Sequence, residues 1–95
     1  MQRLSESEFA EICRGLRYDR DAIVKHNPIG TPRETLLWML MSCLISYLSL
    51  SDIETPCFTG RPDEKTYRDA ILYIVEKRRA TAFDANKYIN ELLSE

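Results

Sequence analysis

The sequence is poor in the two residues that mark turns, with three glycines and four prolines among its 95 residues. Folds built from many short strands need a turn roughly every 8–12 residues, and Gly and Pro supply most of those turns. An all-β sandwich or barrel is therefore disfavoured. A chain of this length supports one hydrophobic core, so we expect residues 1–95 to form a single helical domain.

Cysteine and histidine are scarce as well. The chain has three cysteines and one histidine, which are Cys13, Cys43, Cys57 and His26. An odd number of widely spaced cysteines does not indicate a disulfide framework, and it suits a reducing compartment. Structural zinc sites usually take ligands in pairs about two to four residues apart, and no two of these four residues are that close. We therefore expect no metal site.

An excess of charge of one sign is missing too. The net charge is −2, and cationic and anionic side chains are mixed along the chain. No segment offers the basic patch that binding to a phosphate backbone usually requires, so nucleic acid is not expected as a partner. The N-terminal MQRLSESEFAEICRGL carries carboxylates where a signal peptide has its apolar run. We expect a cytoplasmic location and no cofactor.

The residues that are present indicate helices. Ser5 and Glu8 fit a capping box, in which each side chain accepts a hydrogen bond from the other's backbone N–H, and an apolar stripe with helical spacing follows. A second, short helical piece is plausible over 19–26. Further along, a helix is predicted from about Pro62 to Arg79. These patterns predict an all-α fold. We expect a small bundle of four to five helices, in which the fifth is the short piece at 19–26.

The last helix is predicted to begin shortly after the helix that ends at about Arg79. Thr81 is the expected N-cap, with Asp84 three residues later as a weaker partner than glutamate would be. That placement leaves a break of only two or three residues after Arg79. The two helices are therefore expected to form a tight hairpin or a steep corner.

The clearest local signal is Thr31-Pro32-Arg33-Glu34. Thr31 is expected to be the N-cap, Pro32 to occupy the first helical position, and Glu34 to complete a capping box. The helix that follows is predicted to run to about Leu50. Its body, LLWMLMSCLISYLSLS, carries no charge, whereas 29% of the whole chain is charged.

This uncharged helix could have three roles. A membrane span needs about 20 apolar residues, and this run is shorter and diluted by serine and threonine, so no span is expected. A helix that is apolar all round is usually surrounded by other helices, which predicts that it forms the centre of the bundle. One of its faces could also pack against a partner, and the sequence leaves open whether the other helices cover it completely.

The predicted function is a non-enzymatic interaction module that forms a homodimer or binds another protein. Small residues allow helices to approach closely, and aromatic residues and Met are enriched in interface cores. The candidate interface residues are Trp38, Met41, Ser42, Ser46 and Ser49.

Two alternative functions remain open. The basic KRR at 77–79 followed by the last helix resembles a helix-turn-helix arrangement, although Asp84 and Glu91 would repel phosphates. The other alternative is a small-ligand pocket lined by aromatic side chains. Its expected lining residues are Trp38, Tyr47, Tyr67 and Tyr73.

No constellation of residues indicates catalysis, so we expect no enzymatic activity. Cys57 lies in a loop near Arg61, which makes it a weak candidate for a reactive thiol. We prefer a structural role to a reactive one for Cys57, with its side chain packed against the core beside Phe58. His26 is expected to lie near the end of a helix and to bond its free carbonyl groups, rather than to act as a general base.

Overall fold

The computed structural model describes residues 2–94, which fold into an all-α bundle. The bundle comprises five helices, α1 (Glu6–Tyr18), α2 (Arg20–His26), α3 (Pro32–Leu48), α4 (Glu64–Arg78) and α5 (Ala85–Leu93). The predicted fold class is confirmed, and the short piece expected over 19–26 is the separate helix α2.

Two of the three predicted capping boxes are present, at the starts of α1 and α3. Ser5 Oγ accepts a hydrogen bond from Glu8 N at 3.1 Å, and Glu8 Oε1 accepts one from Ser5 N at 2.8 Å. Thr31 and Glu34 make the same reciprocal pair at the start of α3, and Pro32 occupies the first helical position. These caps satisfy backbone N–H groups that lack partners within the helix, so they fix where α1 and α3 begin.

Helix α3 is the centre of the bundle, as its uncharged sequence predicts. It packs against each of the other four helices. Seven of its 17 residues are buried, and the six apolar ones join side chains from α1, α4 and α5 in one core cluster. The helix ends at Leu48, slightly before the predicted Leu50, because Ser49 adopts a left-handed conformation with φ of 52°.

The predicted start of α5 is wrong. The N-cap is Asp84, whose Oδ1 accepts a hydrogen bond from Asn86 N at 3.1 Å, and Thr81 lies outside the helix. Residues 79–84 therefore separate α4 from α5, instead of two or three residues. The reason lies at the other end of the chain, where Leu4 pairs with this segment.

The N-terminal segment holds the α4–α5 connection in an extended conformation. Leu4 N donates to Arg78 O, and Ala80 N donates to Leu4 O, each at 2.8 Å. This short parallel pairing uses backbone groups that a helix would need for itself. Leu4 is fully buried, so its side chain also anchors the N-terminal segment in the core.

The C-terminal end of α5 is held by arginines from three other helices. Arg17 donates to the carbonyl oxygens of Glu91 and Ser94. Arg20 also donates to Ser94 O, at 3.0 Å, and Arg33 reaches Leu93 O. Cations at this end satisfy free carbonyl groups and complement the helix dipole.

Within residues 2–94, no helix is both long enough and apolar enough to cross a membrane.

Candidate interaction surface

The segment between α3 and α4, residues 49–63, contains a turn that is fixed by Glu54. Its Oε2 accepts hydrogen bonds from Ser51 N at 3.1 Å and Ser51 Oγ at 3.2 Å, and Glu54 N donates to Ser51 O at 3.0 Å. The hydrogen bond from Ser51, with a further contribution from Arg78, lowers the pKa of the Glu54 carboxyl. The carboxylate form therefore closes this turn.

Arg78 ties the turn to the rest of the bundle. Its side chain is buried and forms an ion pair with Glu54. It also donates to Gln2 O at 3.3 Å. A buried guanidinium needs such partners, because desolvation makes an unpaired charge costly. One side chain of α4 thus fixes both the turn and the N-terminal segment.

The same turn exposes an isoleucine. Ile53 is 94% exposed, although its neighbour Glu54 is fixed by Arg78. Tyr73, on the adjacent side of α4, is 49% exposed. Among the described residues, the other exposed large hydrophobic side chain is Tyr18, at the end of α1. Ile53 and Tyr73 therefore form an apolar patch at the edge of the turn.

Two cavities flank Tyr73, and together we call them the Tyr73 groove. The first has a volume of about 290 Å³ and the second about 410 Å³. Tyr73 is shared by both. The first cavity is otherwise lined by Leu50, Ile53, Glu54, Ile74, Lys77 and Arg78. The second is lined by Thr55, Pro56, Cys57, Phe58, Thr66, Asp69 and Ala70.

The second cavity is bounded by an aromatic contact. The rings of Phe58 and Tyr67 lie 5.7 Å apart at 69°, an edge-to-face arrangement. Tyr67 is buried in the core cluster and Phe58 packs against it. Such pairs contribute beyond their buried area, so this contact holds the 55–58 segment near α4.

Opposite charges lie at the two ends of the Tyr73 groove. Lys77 lines the first cavity, with its Nζ 5.3 Å from the centre of the Tyr73 ring. Asp69 lines the second cavity and forms an ion pair with Lys65 at 2.7 Å. The groove therefore has the Tyr73 ring in its middle, a cation at one end, and at the other end a carboxylate that is paired with Lys65 but still 58% exposed.

The candidate interface residues on α3 and at its C-cap, Ser49, have different environments. Met41 is buried in the core, and Trp38 is half-buried against it. Ser42 Oγ donates to Trp38 O at 2.9 Å, the backbone bond that a partly buried serine favours. Ser46 and Ser49 are exposed. The five residues thus do not share one continuous exposed face.

The aromatic residues predicted to line a ligand pocket are not brought together around either cavity. Tyr73 lines both cavities, but Trp38, Tyr47 and Tyr67 line neither. Tyr67 is buried, in edge contact with Phe58.

Two of the basic residues at 77–79 and two amide side chains of α5 have partners within the protein. Arg68 Nη1 donates to Asn86 Oδ1 at 3.1 Å and to Asn90 Oδ1 at 2.9 Å. Arg79 pairs with Glu76 at 2.9 Å, and Arg78 is buried. The amide oxygens of α5 are therefore used to hold α5 against α4.

The cysteines and the histidine are separated in the structure. Burial raises the pKa of the Cys13 thiol to about 12, and burial also raises the pKa of Cys43. Cys57 is exposed at the second cavity. His26 is the exposed last residue of α2, where Asn27 Nδ2 makes the bond to Ile23 O. Residues 2–94 contain no cluster of His, Cys, Asp and Glu that could hold a metal ion.

The Tyr73 groove was not predicted from the sequence, although two of its residues gave a signal. Ile53 is an isolated apolar residue between Asp52 and Glu54, and Tyr73 falls outside the apolar stripe of α4. Large apolar residues at polar positions are candidates for exposed contacts. Their proximity to each other depends on how residues 49–63 pack, which a local pattern does not reveal.

No protein-family model, no curated protein and no solved structure matches this chain.

Proposed function

We propose that this chain is a non-enzymatic interaction module that binds another protein chain through the Tyr73 groove. The observation that carries the proposal is the 94% exposure of Ile53, in a turn fixed by Glu54 and Arg78. Burial of an isoleucine side chain contributes about 1.5–3 kcal/mol, and this contribution is available to a partner. A fixed turn also lowers the conformational entropy lost on binding.

The composition of the groove supports the same proposal. Tyrosine is enriched in interface cores, and Tyr73 lies between two cavities that a partner's side chains can fill. The charged ends formed by Asp69 and Lys77 give a partner its orientation. The free cysteines suit a reducing compartment, and we place the interaction in the cytoplasm.

A photo-crosslinking experiment tests the proposal. A photoreactive amino acid replaces Ile53 in the full chain, and a matched control carries it at Lys25, an exposed position on α2. After irradiation of the purified protein, and of the protein in cells, we expect a discrete adduct from position 53 and none from position 25. Tyr73→Glu should abolish the adduct, because a charge in the middle of the groove opposes apolar contact.

Thermal unfolding of each variant confirms that the bundle is intact. The proposal is overturned if position 53 gives no adduct with any protein, whether another copy of this chain or a different one. Equal labelling from positions 53 and 25 would also contradict it, since that result indicates random collision.

A further inference from the structure

Helix α4 presents an ordered set of side chains along its solvent side. Asp69, Tyr73 and Lys77 follow each other at intervals of four residues, so they lie on one side of the helix. Each step of four residues corresponds to about 6 Å along the axis. Tyr73 thus has an anion on one side and a cation at an equal distance on the other.

This arrangement is self-complementary. In an interface with two-fold symmetry, both copies contribute the same surface, so that when one residue contacts a second residue of the other copy, the reverse contact is also made. If two α4 helices pack antiparallel with the axis at Tyr73, Asp69 of each copy lies opposite Lys77 of the other. We propose that the occupant of the Tyr73 groove is a second copy of this chain, packed through α4 in this antiparallel arrangement. The inference rests on the proposed function, because it names the partner that the groove binds.

The same symmetry provides a place for Ile53. Ile53 lines the first cavity together with the turn of α4 from Tyr73 to Arg78, which includes Lys77, whereas Asp69 lines the second cavity. Antiparallel packing brings the first cavity of one copy against the second cavity of the other. Each exposed Ile53 is thereby placed beside the cavity of about 410 Å³ in its partner. Ile53 is the most exposed large apolar side chain among residues 2–94, and at each of the two symmetry-related contacts it is covered by the larger of the two cavities.

The remaining charges on this side of α4 do not oppose the arrangement. Glu76 is paired with Arg79, and its counterpart across the axis is the uncharged Ala70. Lys65 forms an ion pair with Asp69 of its own copy at 2.7 Å, and the position opposite it lies beyond Arg78, where α4 ends. Lys77 has no carboxylate partner among residues 2–94 and lies over the Tyr73 ring, so its charge is available to Asp69 of a second copy.

Charge reversal tests this geometry by sedimentation equilibrium at low salt. Asp69→Lys places two cations opposite each other at both contacts, and Lys77→Asp places two anions there. Each single variant should weaken dimerisation by about tenfold or more, because like charges across an interface repel. The double variant D69K/K77D restores opposite charges and should dimerise like the parent chain.

Mixing the two single variants gives a sharper result. In an Asp69→Lys copy both positions are cationic, and in a Lys77→Asp copy both are anionic. An equimolar mixture should therefore form a heterodimer more readily than either variant forms a homodimer. Glu76→Lys is the matched control, since it reverses a charge on the same helix at a position that faces an uncharged residue.

The proposal is overturned if the parent chain stays monomeric at the highest concentration measured. It is also overturned if the single variants dimerise as tightly as the parent, if the double variant fails to recover, or if the mixture forms no heterodimer. The photo-crosslinking result separates this failure from failure of the proposed function. A monomeric chain whose position 53 crosslinks to a different protein refutes self-association alone, whereas a monomer that gives no adduct refutes both.

Discussion

Gly30 shows at the scale of one residue how the start of α3 depends on a position without a side chain. Its φ is +65°, and a Cβ added there would collide with the carboxylate of Glu34 and the guanidinium of Arg61. Glu34 completes the capping box with Thr31, so the collision would disturb the cap itself. We predict that Gly30→Ala lowers the free energy of unfolding by about 2 kcal/mol, measured by urea denaturation.

Substitutions at two other glycines distinguish the two causes of that loss, which are backbone strain and collision with neighbouring side chains. Gly60 has a similar φ of +74° but no atom near its Cβ position, so Gly60→Ala should cost only the backbone strain, about 1 kcal/mol. Gly15 lies within α1 with open space around it, and Gly15→Ala should stabilise the protein by about 0.5–1 kcal/mol. Equal losses for Gly30→Ala and Gly60→Ala would show that the contact with Glu34 has no energetic weight.

At the scale of the helices, three carboxylates make local structure depend on pH. Hydrogen bonds lower the pKa of Glu8, through Ser5, and of Asp63, through Thr66, and the bonds from Ser51 and Arg78 lower that of Glu54. A group whose pKa is lower in the folded state stabilises the fold above its unfolded pKa. That stabilisation is lost as the pH falls through the folded pKa. The affected range begins near the ordinary glutamate value of 4.5 and extends downward.

We predict that the free energy of unfolding falls between about pH 5 and pH 3, and that Glu8→Gln reduces the slope of this fall. Glutamine can still accept the bond from Ser5 N in a capping box, so the helix start is retained while one titrating group is removed. Urea denaturation at a series of pH values gives the slope. Glu11→Gln is the control on the same helix, where Glu11 is exposed and lies outside the cap. Slopes that are identical for Glu8→Gln and the parent would contradict this prediction.

At the scale of the whole molecule, features that depend on residues close together in the sequence were predictable, and features that depend on distant residues were not. The capping boxes at Ser5 and Thr31 and the central place of α3 were predictable, because they depend on neighbouring residues or on a continuous apolar run. The start of α5 was not, since pairing with Leu4 displaced it from Thr81. The Tyr73 groove was missed for the same reason, because it requires residues 49–63 to pack against α4.

Arg78 is the residue through which these distant segments are joined, since it contacts Glu54 in the turn and Gln2 near the N-terminus. Arg78→Met keeps an apolar stem in the core but removes the donors from both contacts. We predict a loss of about 2 kcal/mol in the free energy of unfolding, below the cost for a fully buried pair because Glu54 is 40% exposed. Limited proteolysis should then detect faster cleavage in residues 50–58 and near the N-terminus together.

Glu54→Gln separates the two contacts, because it weakens the ion pair but leaves the arginine to bond Gln2 O. We predict that this variant becomes more susceptible to proteolysis in residues 50–58 alone, and that it loses less stability than Arg78→Met, as expected for a partly exposed pair. In a double-mutant cycle, the variant with both substitutions should resemble Arg78→Met, because one guanidinium carries the shared interaction. If Arg78→Met loosens only the turn, the N-terminal segment is held by the backbone pairing of Leu4 alone, and the proposed joining role of Arg78 fails.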